Sequence, residues 1–234
     1  MTDYISEYAN KKDYYFQFYS IINGENPVEF PALLTQLDDK FTSNWNSQNV
    51  FGRQDPVITF QNTQRVLSVA FDVPSTSAEQ AKSNLGGLNR LINYLYPAYS
   101  RSNTANTISA APLFKIKFVN LIYDKSSGNP GGSAQEAGLV CGIQDFQHQF
   151  SFDGKAGWVD EVGSAIPSLF TISFSAVVLH THDLGSISGR GYPSDGQYPY
   201  YVNSIAEQES ENASNRIVRN SSNTTSITDG GGNE

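Results

Sequence analysis

Three features of this sequence predict a mainly β chain with one packed helix, an α+β arrangement. Alternating apolar and polar runs recur between Tyr14 and Leu179. Among them lies one stretch, 77–96, with helical spacing and a cap at its start. Only 16% of residues are charged, while 13 Tyr and 14 Phe are present, a composition that suits pleated, aromatic-rich surfaces. So little charge also implies that part of the surface meets protein rather than water.

The 234 residues suffice for one large domain or two small ones. A net charge of -8 opposes non-specific binding of nucleic acid, which needs clustered Lys and Arg. The single cysteine, Cys141, excludes an internal disulfide. No apolar run reaches the roughly 20 residues of a membrane span, and the first residues lack a basic-then-apolar leader pattern. The chain is therefore expected to be made in the cytoplasm.

Residues 1–50 read as an N-terminal strand and an arm. Met1 to Asp13 is polar; Tyr14 to Ile22 is an aromatic strand, ended by the Asn23-Gly24 turn. Pro27 to Leu37 reads as a connection or short strand, because Pro31 does not suit a central strand. Phe41 to Phe51, with Trp45 among Ser and Asn, reads as a strand or an extended arm.

The stretch that organises the rest is 51–99, and the core is expected over 51–184. Val57 to Thr63 is a short strand candidate. In Gln64 to Pro74, Leu67, Val69, Phe71 and Val73 share one side; Val66, Ser68, Ala70 and Asp72 share the other. Pro74 stops this strand. Ser77 and Gln80 then have the spacing of a capping box. Ala81, Leu85, Leu88, Leu91, Ile92 and Leu95 form one apolar stripe until Pro97. Gly86-Gly87 in that helix predicts either a close approach to the sheet or a slight kink.

Arg101 to Ala111 reads as a polar loop and Leu113 to Tyr123 as a strand. Asp124 to Ala137 reads as a glycine-rich turn region without the spacing of a phosphate loop. Gly138 to Phe152 is expected to give one or two strands, 154–164 a loop, and Ile166 to Leu179 a last strand. Residues 185–204 form a Gly/Tyr/Pro extension. Residues 205–234 are almost devoid of apolar side chains and are expected to be a disordered tail.

No catalytic, cofactor or metal site is predicted. His180, His182 and Asp183 have chelating spacing but lack a further ligand beyond distant His148 or Cys141. Asp72, Glu79, Asp145, Asp153, Asp160 and Glu161 offer carboxylates, with nothing to mark a pair for acid-base work. Cys141 has no activating neighbour and reads as a small buried residue. The interface candidates are Tyr14, Tyr15, Phe16, Trp45, Arg53, Asp55, Arg65, Tyr94, Tyr96 and Tyr99. Arg53 and Asp55 either staple the Gly52–Pro56 turn or meet a neighbouring subunit. The tyrosines suit either a protein contact or the rim of the core.

A pattern runs through these elements: Gly52-Arg53, Asp55-Pro56, Thr63, Arg65, Asn84-Leu85, then Leu95-Tyr96-Pro97 and Tyr99. Over roughly 45–185 it resembles baseplate-associated tube proteins of contractile-tailed bacteriophages, including tail tube initiators and their LysM-bearing relatives in contractile injection systems. The resemblance implies a bent antiparallel sheet forming a split β-barrel, with one helix packed on it. It implies a homo-hexameric ring in the virion tail, partnered by tail tube protein and baseplate hub or spike proteins. Such a ring joins hub to tube and templates tube assembly without chemistry. The N-terminal aromatic strand and the 41–51 arm are the elements expected to reach neighbours. No LysM module follows position 183. A carbohydrate- or receptor-binding β-module of a phage fibre, the major tail tube protein and a cell-wall hydrolase remain alternative readings.

Overall fold

The computed structural model describes residues 14–102, 105–127, 131–151, 158–161, 164–182, 184–185 and 198–201. The chain falls into two units, Met1–Tyr200 and Tyr201–Glu234. All elements below belong to the first. The expectations for 1–13, Asp153, Asp183 and the 205–234 tail lie outside the described residues.

The architecture is mainly β. The strands are β1 (Tyr15–Ser20), β2 (Val28–Pro31), β3 (Leu33–Gln48), β4 (Val57–Pro74), β5 (Ala98–Ser102), β6 (Ala105–Ala110), β7 (Leu113–Phe118), β8 (Leu139–Phe150), β9 (Trp158–Glu161), β10 (Ser164–Pro167) and β11 (Leu169–Val178). Among the described residues two helices accompany them: α1 (Ala78–Tyr94) and the single turn α2 (Ala134–Ala137). Seven strands form one antiparallel sheet in the order β2-β1-β7-β8-β11-β4-β3. β5–β6 and β9–β10 are separate hairpins.

The large sheet is curled, and two observations establish this. Its edge strands β2 and β3 are consecutive in the chain with only Ala32 between them, so both edges meet at that corner. Second, β1 and β4 stand four strand spacings apart in the ladder, roughly 19 Å in a flat sheet. Yet the Phe16 ring of β1 stacks on Phe71 of β4 with centroids 4.8 Å apart and 3° between planes. Phe30 of β2 likewise meets Phe170 of β11 at 6.2 Å. The inner face is a phenylalanine core, completed by Leu67, Val69, Val73, Ile116, Cys141, Ile172 and Ala176.

This corrects the reading of the N-terminal strand. Phe16 was expected at an interface; it is fully buried and touches the rings of Phe18, Phe71, Phe118 and Phe174. β1 lies inside the sheet, between β2 and β7, so it is a core strand rather than a reaching arm. Tyr15 is half-buried on the same strand, and Tyr14 is 39% exposed.

Helix α1 begins as its spacing predicts. Ser77 Oγ accepts the Gln80 amide at 3.2 Å, and Gln80 Oε1 accepts the Thr76 amide at 2.9 Å, satisfying two amides at the helix start. Asn84 Nδ2 donates to Ser75 Oγ at 2.9 Å and pins the first turns to the end of β4. Leu88 and Leu91 enter the core. Of the paired glycines, Gly87 makes the close approach: a Cβ there would lie 3.2 Å from Phe30, whereas one at Gly86 would meet nothing within 4 Å. Gly86→Ala is therefore expected to raise stability by about 0.5–1 kcal/mol through helix propensity. Gly87→Ala loses that gain to the Phe30 contact. Urea midpoints of the two variants test this, and equal gains would remove the packing role of Gly87.

Other segments differ from expectation. The polar loop 101–111 is largely the β5–β6 hairpin, and the expected 154–164 loop contains β9. The last strand divides at Ser168 into β10 and β11, where Ser168 O accepts the Ser75 amide at 2.7 Å. The 124–137 turn region holds a 3-10 turn at Lys125–Ser127 and the short helix α2, which the sequence reading did not expect. Buried Gln17 of β1 organises α2, accepting the Ala134 amide at 2.8 Å.

Candidate functional site

The functional surface begins where β3 and β4 leave the body. They pair from Leu33↔Asp72 out to Gln48↔Val57, so 57–63 and 64–74 are one strand, and the hairpin runs across position 50. Beyond Phe41 and Arg65, most residues of both strands are exposed. This free part is a two-stranded arm of roughly 25 Å at 3.4 Å per residue.

The arm is amphipathic, and a bulge makes it so. Residues opposite each other in an antiparallel ladder share a face. One face continues the inner face of the sheet through the pairs Phe41↔Arg65, Ser43↔Thr63, Trp45↔Phe60 and Ser47↔Ile58. The other carries Asn44↔Asn62 and Asn46↔Thr59, with Asn44 Nδ2 donating to Asn62 Oδ1 at 2.8 Å. The register shifts after Asn44, leaving Gln61 unpaired. Were Gln61 paired in an unbroken ladder, Phe60 and Ile58 would fall on the asparagine face. The Trp45 and Phe60 rings sit edge to face at 5.1 Å, yet they are 56% and 50% exposed. Phe51 at the tip is fully exposed, and Gly52 holds a positive φ of 85° in the turn.

Arg53 and Asp55 lie at this tip, exposed, and make no ion pair with each other. Tyr96 and Tyr99 are exposed beyond the end of α1. Tyr94 donates its hydroxyl to Glu25 at 2.7 Å, and that bond, with burial, raises its pKa. Sequence reasoning singled out Trp45 on the arm but missed Phe41, Ile58, Phe60 and Phe51. Their exposure depends on how far the hairpin projects.

Arg65 is the second correction among the interface candidates. It is 1% exposed and bonds Asp39 through Nε at 3.0 Å and Nη2 at 2.7 Å. Its guanidinium lies between the rings of Phe41 and Tyr198, 5.4 and 5.5 Å from their centroids. Tyr200 adds its hydroxyl to Asp39 at 3.2 Å. Burial raises the pKa of both tyrosines, with Asp39 adding to the rise at Tyr200.

The histidines lie past the end of β11, beside this pair. His180 Nε2 and the Tyr198 hydroxyl are 3.1 Å apart. Burial, then the charges of Arg65 and His182, lower the His180 pKa. His182 Nδ1 stands 3.4 Å from Asp124 Oδ1, an electrostatic approach without hydrogen-bond geometry. Burial alone would raise the Asp124 pKa. Hydrogen bonds from Ser126 and Thr181, and the His182 charge, outweigh it and leave the pKa lowered.

Among the described residues, no three His, Cys, Asp or Glu side chains converge on a metal position. Cys141 is buried in β8, its thiol pushed up to about 12 by desolvation. Asp72 is engaged by Thr171 and Asp145 by Ser175. No described helix is long and apolar enough to cross a membrane. Neither a protein-family model nor a curated protein matches the chain.

Proposed function

We propose that this chain is a ring-forming structural subunit of the tail-tube or baseplate type, acting by assembly rather than chemistry. The observation that carries this reading is the projecting β3–β4 arm, with Phe41, Trp45, Ile58 and Phe60 on one face and asparagines on the other. Isolated hairpins are marginal in water, and exposed apolar patches with polar rims mark protein contacts. A neighbouring copy covering the arm would bury both its apolar face and the free edge of β3. The curled sheet, with edges meeting at Ala32 and α1 packed on β2, agrees with a split barrel of the tube type. In this reading hub or spike proteins lie on one side of the ring, tube protein on the other, and assembly places the ring in the virion.

Negative-stain microscopy and sedimentation of the purified chain test the proposal. Wild type is expected to form sixfold rings that seed tube protein. Trp45→Ser with Phe60→Ser is expected to weaken association by at least about 30-fold, the effect of losing one aromatic anchor. Ile58→Asn, on the same face, is expected to weaken rings as well. Wild type that stays monomeric with tube protein present, or rings indifferent to both changes, overturns the reading.

A further inference from the structure

At the base of the arm lies a cavity of about 490 Å³, lined by Phe41, Phe60, Arg65, His180, His182 and Tyr198 among others. Its volume is that of a small-molecule site. Arg65 turns Nε and Nη2 to Asp39, but among the described residues its buried Nη1 has no hydrogen-bond partner, and neither do the two buried ring nitrogens of His182. Burial raises the Tyr198 pKa, and Arg65 opposes that rise through its charge and a polar contact, but that contact lacks the geometry of a full hydrogen bond. A buried guanidinium donor left unsatisfied is costly and marks a place where an acceptor belongs.

The sign of the acceptor follows from what faces the cavity. The carboxylates that balance this region, Asp39 and Asp124, are not among the lining residues; a guanidinium and two imidazoles are. Thr63 and Gly185 complete the lining, and the rest of the wall is apolar or aromatic: Phe41, Phe60, Leu184 and Tyr198. We infer that this cavity binds a carboxylate carried on a small apolar body, the oxygens meeting Arg65 Nη1 and His182 and the body lying between the rings. Arginine suits a planar carboxylate. The inference is argued from the cavity wall, although Phe41 and Phe60 also belong to the arm face assigned above to a neighbouring copy.

Titration calorimetry of the full chain with benzoate is the test, with benzamide as the uncharged control. Benzoate is expected to bind saturably at one site, and benzamide at least about tenfold more weakly, as hydrogen bonds to a charged group imply. His182→Phe removes the ring donors while keeping an aromatic ring, and Leu184→Trp fills the cavity while sparing every polar group; each is expected to weaken benzoate about tenfold. A folded wild type that does not bind benzoate, binding indifferent to both variants, or equal affinity for benzamide overturns the inference. The carboxylate has two possible sources, a free small molecule or an acidic side chain of a second copy. Sedimentation with and without benzoate separates them: dissociation of assemblies assigns the second copy, and unchanged assembly assigns the free ligand.

Discussion

Replacing Asp39 with alanine is expected to destabilise the fold by about 3–5 kcal/mol, the range for breaking a buried ion pair from one side. Arg65 is 1% exposed and Asp39 4%, and a guanidinium cannot shed its proton to escape burial. The variant would hold a buried charge facing Phe41 and Tyr198, and the Tyr200 hydroxyl would lose its acceptor. Domains hold about 5–15 kcal/mol in total, so this loss consumes much of the margin. Urea unfolding should show a lower midpoint at an unchanged slope. Asp39→Leu combined with Arg65→Met should recover most of the loss, because an apolar pair of similar size needs no compensation. A cost below about 1 kcal/mol for Asp39→Ala would mean that water reaches the guanidinium.

Phe16→Ala is expected to cost about 3–5 kcal/mol as well, through a different mechanism. Phe16 is fully buried, and its ring lies 4.8 Å from Phe18 and Phe71, 5.6 Å from Phe118 and 5.7 Å from Phe174. Truncation leaves a cavity where β1, β4, β7 and β11 converge, and rings held by four strands cannot collapse into it freely. Chemical denaturation measures the cost, with exposed Tyr99→Ala, expected within about 0.5 kcal/mol of wild type, as the control. A small effect of Phe16→Ala would return β1 to the periphery, where its aromatic sequence alone had placed it.

Helix α1 was legible because its signals are local: the Ser77–Gln80 box and the leucine stripe lie within a few turns. The inner face of β4 was legible over 67–73 for the same reason. The hairpin was misread because bulges reset its phase. Thr35 lets both Leu34 and Leu37 face inward, opposite Phe71 and Val69, and Gln61 moves Phe60 and Ile58 across the arm. A bulge leaves no mark in an alternation count except an apparent break, and that break was taken for a strand end. Arg65 carried a readable clue, since it lies in phase with Leu67, Val69, Phe71 and Val73. A charge on that face needs a buried partner. The partner, Asp39, is 26 residues away and becomes a neighbour only through the β3–β4 register. His180 and His182 were noticed for their spacing, but Tyr198 and Asp124 come from segments that no sequence pattern links to them.

The one-residue join at Ala32 has a consequence for how the chain is made. Because β2 runs straight into β3, the first strands synthesised supply both edges of the sheet, while its middle, β7, β8 and β11, comes only from Leu113 onward. The β3–β4 hairpin can zip up locally, but β1 must wait for Phe114 to Phe118 and β4 for Leu169 to Val177. Pairings so distant in sequence make folding slow. The arm with its exposed Trp45 and Phe60 therefore exists on the ribosome well before the body behind it can close. During that interval the same surface offers itself to other nascent chains.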